Sequence, residues 1–368
     1  MSQDNILTPQ GWIRGRLVHH NGKVTAVEGT PCDPADNDLP YLLPGFIDLH
    51  VHGGGGKDIM EGTAAFDTIT RTHVRFGTTS LLATTMTAPV AEISRVLEQL
   101  GHFCQTRPTG TARVLGVNLE GPYSSPGKLG ATPNLAHIAV MDEVEEYGRL
   151  APSRVITIAR DVAGHEGLIR TLSERGVRMQ IGHTLGSYED GVAALAAGAT
   201  SFTHLYNAMS PLHHREPGIV GAALAHAQYA ELIPDLLHVH PGAMHVALRS
   251  IPCLYCVTDS TAAAGMPDGE YKLGSHTVTK CLGGVRLADG TLAGSTLTMD
   301  QALRNLVKIG LPISEASQRL SQFPADYLGL PERGRLQPGS FADCVRLDRH
   351  LNLTDVMVEG EAIDFQNA

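Results

Sequence analysis

The chain has 368 residues, 42% of them hydrophobic, and a formal net charge of −10. That length buries one large core with room for a small satellite, and an acidic chain without a Lys/Arg run is unsuited to nucleic acid, so any anionic substrate must be met by local cations. No apolar run approaches the ~18 residues of a membrane helix, Met1 to Asn5 lack a signal-peptide pattern, and six scattered cysteines do not read as a disulfide framework; a cytoplasmic protein with no membrane partner is expected.

Residues 1–43 read as short strands at Trp12-Ile13, Arg16–Val18 and Val24–Val27, with turns at Asn21-Gly22 and from Pro31 to Pro40. The C-terminal stretch 337–368 looks alike, with Phe341–Leu347 and Val356–Gly360. Together the two ends predict one small β-sandwich domain, 1–43 plus 337–368, beside a larger unit over 44–336.

The larger unit alternates. Apolar runs occur at Phe46–Leu49, Ser80–Ala83, Val114–Leu119, Val155–Ala159, Met179–Ile181, Phe202, Leu236–Val239 and Leu254–Val257. Helix-like segments separate most of them. The clearest is 187–197, where Ser187 and Asp190 form a cap and Gly198 a stop. Another is 298–309, with Thr298 and Gln301 read as a capping box. Eight strands alternating with helices predict an α/β fold, a (β/α)8 TIM-like barrel, with an open doubly wound sheet as the alternative. Gly53–Gly56 lacks the Ser/Thr of a phosphate loop, and Cys253-x-x-Cys256 sits in an apolar segment that suits a buried strand.

A barrel places its chemistry where its strands end, so polar residues that close apolar runs are the candidates. His50 and His52 alternate along a strand and share a face. Glu120 closes a strongly apolar run before Gly121-Pro122. His183 and His204 end neighbouring strands with a helix between them, and Asp259 follows the last. Each alone has a bland reading as a cap or a packed histidine. Together they place imidazoles and carboxylates on one face, a donor set that suits Zn²⁺, Fe²⁺, Co²⁺ or Mn²⁺, with Asp259 placed as a general base.

These segments resemble the amidohydrolase superfamily and, within it, the N-acetylglucosamine-6-phosphate deacetylase family. The resemblance runs over nearly the whole chain, through Leu43–Gly53, Leu119–Pro122, Gly182-His183-Thr184, Thr203–Met209, His214–Gly218, Val257–Asp259 and Leu292–Met299. It implies that Glu120, His183 and His204 hold a main divalent metal, that His50 and His52 hold a second where two are bound, and that Asp259 is the catalytic acid/base. It further implies that Arg215, His238 and the Asn207–Ala208 backbone bind the phosphate of an amino-sugar phosphate. In this family the arginine can come from a neighbouring subunit, so a homodimer is expected.

Two segments depart from the family pattern. A Gly-Ala-His stretch is usual where this chain has Gly130-Ala131-Thr132-Pro133. Thr132 then takes a substrate-facing position without an imidazole; either the metal alone polarises the carbonyl, or His137 moves in, or the substrate differs. Leu236 and Leu237 replace the Asp-Gly context before His238. The reading that follows is metal-dependent deacetylation of N-acetylglucosamine 6-phosphate. The alternatives are deacetylation of a relative such as N-acetylgalactosamine 6-phosphate, or hydrolysis of another C–N amide bond.

Overall fold

A computed structural model describes residues 3–131 and 133–365. Thr132 lies outside the described residues, so its expected contact with substrate has no structural account.

Eight parallel strands surround the apolar core of the larger unit. Six form one sheet: β1 (Phe46–Val51), β2 (Thr78–Thr84), β3 (Arg113–Glu120), β4 (Ser153–Ile158), β5 (Arg178–Ile181) and β6 (Ser201–Phe202). Two more, β7 (Glu231–Leu232) and β8 (Tyr255–Cys256), pair with each other. Backbone bonds carry the sheet around: Leu205 N–H donates to Glu231 C=O at 2.9 Å, and Asp259 N–H donates to His50 C=O at 3.0 Å. The closure between β8 and β1 is reinforced by buried Asp48, whose carboxyl accepts from the Thr258 hydroxyl at 2.6 Å. Burial pushes that carboxyl up to about 7.

Seven of the eight expected strands lie where the apolar runs put them. The seventh does not. Leu236–Val239 forms turns beyond the strand, with Leu236 at φ +67°, and the strand is Glu231–Leu232. The reason is physical: Pro234 cannot donate to a ladder and closes the strand early. The helix expected at 187–197 spans Tyr188–Ala196 with the Ser187/Asp190 capping box formed. The second expected helix spans Met299–Lys308, but its box does not form. The Thr298 hydroxyl donates to Asp300 at 2.6 Å, and the Gln301 amide donates to Asn305 at 2.8 Å.

Both ends of the chain build one further sheet of seven strands, from Asp4–Thr8, Gly11–His20, Lys23–Pro31 and Tyr41–Pro44 together with Cys344–Leu347, Leu353–Val358 and Glu361–Ala362. The Asp4–Thr8 strand was not expected from sequence. It pairs with Gly11–His20 across a two-residue turn and runs beside Tyr41–Pro44. A small separate cluster of Ile6, Leu42, Leu336 and Cys344 packs against this sheet.

Glu359 ties the terminal sheet to the barrel. Its carboxylate takes two bonds from Arg113 on β3, at 2.9 and 2.8 Å, and one from Arg333 at 2.5 Å. Burial pushes the carboxyl up, but Arg113 and Arg333 outweigh it and hold it at about 2 against an ordinary 4.5. A depressed folded-state value adds stability that is complete above pH ~4.5 and is lost as pH falls toward 2. Glu359→Gln is therefore expected to cost about 3 kcal/mol at pH 7. Melting curves from pH 7 down to pH 3 should show the gap between variant and wild type closing as acid is added.

Candidate metal centre and active site

The site is built where strands stop. His50 and His52 alternate at the end of β1, and Glu120 is the last residue of β3. After Glu120 the chain turns at Gly121, φ +71°, where a Cβ would lie 2.0 Å from the Thr87 hydroxyl, so only glycine fits. His183, His204 and Asp259 follow β5, β6 and β8 in left-handed backbone, at φ +48°, +31° and +50°. That conformation costs about 1–3 kcal/mol for a non-glycine residue. Here it swings the chain out of the strand, and all three side chains reach the mouth of the barrel.

Glu120 lies between two clusters. Its Oε1 is 3.1 Å from His183 Nε2 and 3.0 Å from His204 Nε2. Its Oε2 is 3.1 Å from His50 Nε2 and 2.9 Å from His52 Nε2. Asp259 Oδ1 faces the second pair at 3.5 and 3.4 Å. Within each pair the two Nε2 atoms are 3.1 Å apart. His50 Nδ1 is 3.0 Å from a Glu231 carboxylate oxygen, and His183 Nδ1 is 2.9 Å from the Lys128 carbonyl. Both partners are acceptors, so these nitrogens carry a proton, and in the neutral ring the Nε2 atoms of His50 and His183 are left as lone pairs for a metal. Lone pairs converging on one point, flanked by carboxylate oxygens, repel unless a cation lies among them. Two groups, Glu120–His183–His204 and His50–His52–Asp259, each bring their ligand atoms within 4.8 Å of one another. The residues present fit a divalent metal.

The charges agree with that fit. Burial opposes a charge on His50, yet Glu120, Glu231 and Asp259 hold it well above its ordinary value. Burial likewise opposes a charge on His52, which Asp259 and Glu120 push up to about 9. Burial raises both acids, but the facing imidazoles keep Glu120 and Asp259 below their ordinary values. The pocket demands positive charge, and a divalent cation supplies it more densely than protons do.

A cavity of about 370 Å³ opens above the clusters. His52, Glu120, His183, His204 and Asp259 form its floor, and His50 lies wholly buried beneath. Asn207, Ala208, His238, Lys128 to Ala131, Met86, Leu273, Thr291 and Leu292 make the walls.

Comparison with known proteins follows the same lines. The model of the amidohydrolase family matches residues 41–363. The chain belongs to the amidohydrolase family. An N-acetylgalactosamine-6-phosphate deacetylase of Escherichia coli O157:H7 is 38% identical over 98% of each chain. An N-acetylglucosamine-6-phosphate deacetylase of Vibrio furnissii is 36% identical over 97% of this chain and 93% of that one. Among solved structures, the N-acetylglucosamine-6-phosphate deacetylase of Thermotoga maritima superposes with a TM-score of 0.91 at 34% identity, covering 99% of both chains. A mutant of the Mycobacterium smegmatis enzyme, in complex with N-acetyl-D-glucosamine-6-phosphate, gives a TM-score of 0.89 at 34% identity over 99% of this chain and all of that one.

Within this amidohydrolase the structure gathers nine expected site residues, His50, His52, Glu120, His183, His204, Asn207, Ala208, His238 and Asp259, around one cavity. Arg215 does not. It lines a different hollow with Leu185, Tyr188 and Glu216, its guanidinium 2.8 Å from His214. His137 does not move in either: its Nε2 is 2.9 Å from Glu143, off the cavity wall. Two features of the site were not anticipated. Glu231 was missed because its strand was misplaced. Leu273, Thr291 and Leu292 come from the region of the Gly269–Arg286 three-stranded insert, a polar and glycine-rich stretch without a motif.

Glu120→Gln is expected to weaken cation binding in both clusters of this amidohydrolase, because the new amide aims N–H donors at imidazole lone pairs. The loss should exceed the roughly 10–100-fold cost of removing an outer partner. Metal per chain, measured by elemental analysis after dialysis, checks this.

Proposed function

We propose that this protein hydrolyses the acetamide of N-acetylglucosamine 6-phosphate, releasing acetate and glucosamine 6-phosphate. The observation that carries the reading is Asp259, buried and held ionised, at the floor of a sugar-sized cavity beside the Glu120–His183–His204 cluster. The names borne by relatives of near full-length coverage supply the substrate.

A divalent cation (Zn²⁺, Fe²⁺, Co²⁺ or Mn²⁺) held by Glu120, His183 and His204, with a second at His50 and His52, would supply Lewis acidity toward water and the amide carbonyl. Asp259 takes the proton of the attacking water and returns it to the leaving amine. Its position 3.5 and 3.4 Å from His50 and His52 keeps it a carboxylate, and hence a base, before the reaction starts. His238 is steered by Asp235, which accepts from its Nδ1 at 2.6 Å. Burial opposes a charge on that ring, but Asp235 raises its pKa and favours the form that donates from Nε2 to a phosphate oxygen. Asn207 and Ala208 line the same cavity, where their backbone would meet the phosphate. Arg215, off the cavity of its own chain, suits a phosphate contact across a homodimer, where a guanidinium can make two parallel bonds. Thr132, which follows Ala131 in the sequence, would face the substrate without an imidazole. We assign 1–43 and 337–368 to a small β-sandwich and 44–336 to the catalytic barrel, in a cytoplasmic enzyme.

The 38% identity to the E. coli galactosamine-series enzyme over 98% of both chains supports a second reading, N-acetylgalactosamine 6-phosphate. Acetate release with added Zn²⁺, Co²⁺, Fe²⁺ or Mn²⁺ decides between them. Turnover of the glucosamine epimer, at least ~10-fold above the galactosamine epimer and absent without the phosphate, is expected. The reverse preference selects the second reading, and no release from either sugar phosphate overturns both.

Asp259→Asn is expected to lower kcat by about 100- to 10,000-fold, the range for losing a general acid/base. The Glu120–His183–His204 position should stay loaded, because that cluster is untouched. A variant with near-wild-type kcat would remove Asp259 from the mechanism. A shift in the dimer–monomer balance is not expected on Arg215→Ala, whereas KM for the phosphorylated sugar should rise at least ~10-fold with the loss of a charge-assisted pair.

A further inference from the structure

The end of β7 carries a carboxylate that no step above uses. Glu231 is fully buried, and its one ion-pair partner among the described residues is His50. Burying a carboxylate costs several kcal/mol unless its surroundings answer it. Here they do so with donors alone. Oε2 accepts from His50 Nδ1 at 3.0 Å and from the His204 backbone N–H at 3.1 Å. The Tyr255 hydroxyl donates to Oε1 at 3.4 Å. Behind Tyr255 the donors run one way. The Thr203 hydroxyl donates to Gln180 Oε1 at 2.9 Å, and Gln180 Nε2 donates to the Tyr255 oxygen at 2.7 Å. Thr203, Gln180 and Tyr255 thus point, one after another, at a single anion.

We propose that Glu231 is the positioning residue that makes the His50–His52 half of the site a second divalent-cation position. By accepting the Nδ1 proton of His50 it keeps Nε2 a bare lone pair, aimed between His52, Glu120 and Asp259. It also sets the ring's rotation and makes the imidazole a stronger donor to metal. The inference rests on the metal-dependent reading above.

The rest of the site provides the contrast. His183 is set by a neutral carbonyl, that of Lys128. His52 and His204 have no partner on Nδ1 among the described residues. Of the four histidines in the two clusters, only His50 has a carboxylate on Nδ1 among the described residues, and it lies wholly beneath the cavity floor, where solvent cannot orient it. The affinity of the second position therefore follows the charge of Glu231, while the Glu120–His183–His204 position does not.

The test is cation uptake by the full-length chain. Metal-free protein is titrated with Co²⁺ and followed by visible absorption, with Zn²⁺ per chain measured after equilibrium dialysis. Wild type takes up two equivalents. Glu231→Gln keeps the first at wild-type affinity and binds the second about 10–100-fold more weakly. Tyr255→Phe disturbs the same buried chain but leaves the His50–Glu231 bond, and it takes up two equivalents like wild type. Two equivalents bound at full affinity by Glu231→Gln, or equal loss in Tyr255→Phe, overturn the proposal. So does a wild type that hydrolyses the sugar phosphate with one equivalent, which leaves the proposed function standing. A wild type that neither binds metal nor hydrolyses overturns both. Should Glu231→Gln not fold, long-range ¹H–¹⁵N correlation of the zinc-loaded wild type decides: His50 protonated on Nδ1 is expected, and a proton on Nε2 overturns the assignment.

Discussion

Four imidazoles and two carboxylates converge in the mouth of this barrel. Four imidazoles present Nε2 to the two oxygens of Glu120 at 2.9 to 3.1 Å, and Asp259 adds a further carboxylate at 3.4 to 3.5 Å. Lone pairs and anions at that density are stable only around positive charge. This electrostatic demand selects a cation and keeps Asp259 basic. It also obliges the surrounding fold to hold in place donors that would otherwise move apart. An amidohydrolase is, in this sense, a scaffold stressed by its own ligands.

The scaffold resists that stress through backbone as much as side chains. Three of the six polar groups sit on left-handed residues just past strand ends, a conformation a loop would relax. What fixes them is the hydrogen-bonded ring of strands on one side and short rigid links on the other. Ser125 N–H donates to the His183 carbonyl, Glu231 holds the His204 N–H, and Asp259 N–H reaches across to β1. The bond from Asp259 to His50 is doubly used, since it closes the barrel and sets the Asp259 carboxylate beside His50 and His52.

The cavity above this machinery draws on other parts of the chain. His238, Asn207 and Ala208 line its wall, and Leu273, Thr291 and Leu292 reach in from the region of the Gly269–Arg286 insert. The floor is set by strand ends, whereas the wall comes from the segments between them.

Much of this was legible in the residues themselves. H-x-H at the end of β1 must project to one face because strand side chains alternate. Glu120, His183, His204 and Asp259 each follow a run whose burial leaves few other reasons for a polar end. The Ser187/Asp190 box forms because both partners lie in one turn of chain. Local rules failed where several near neighbours compete for one side chain, and where partners lie far along the chain. Thr298 and Gln301 satisfied a capping pattern, yet Asp300 and Asn305 drew both side chains away. Glu231 looked like one more acid, and the apolar Leu236–Val239 looked like a strand, because nothing local reveals that Pro234 ends the ladder early. Arg215 carries no sign of which cavity it serves. The sequence by itself determined the family and the strand-by-strand order of the imidazoles and carboxylates at the barrel mouth, matters of spacing along one chain. Only the tertiary structure decided that Glu120 stands between two clusters, that Glu231 backs His50, and that Arg215 lies off its own site, because those facts depend on which strand ends the closed barrel brings face to face.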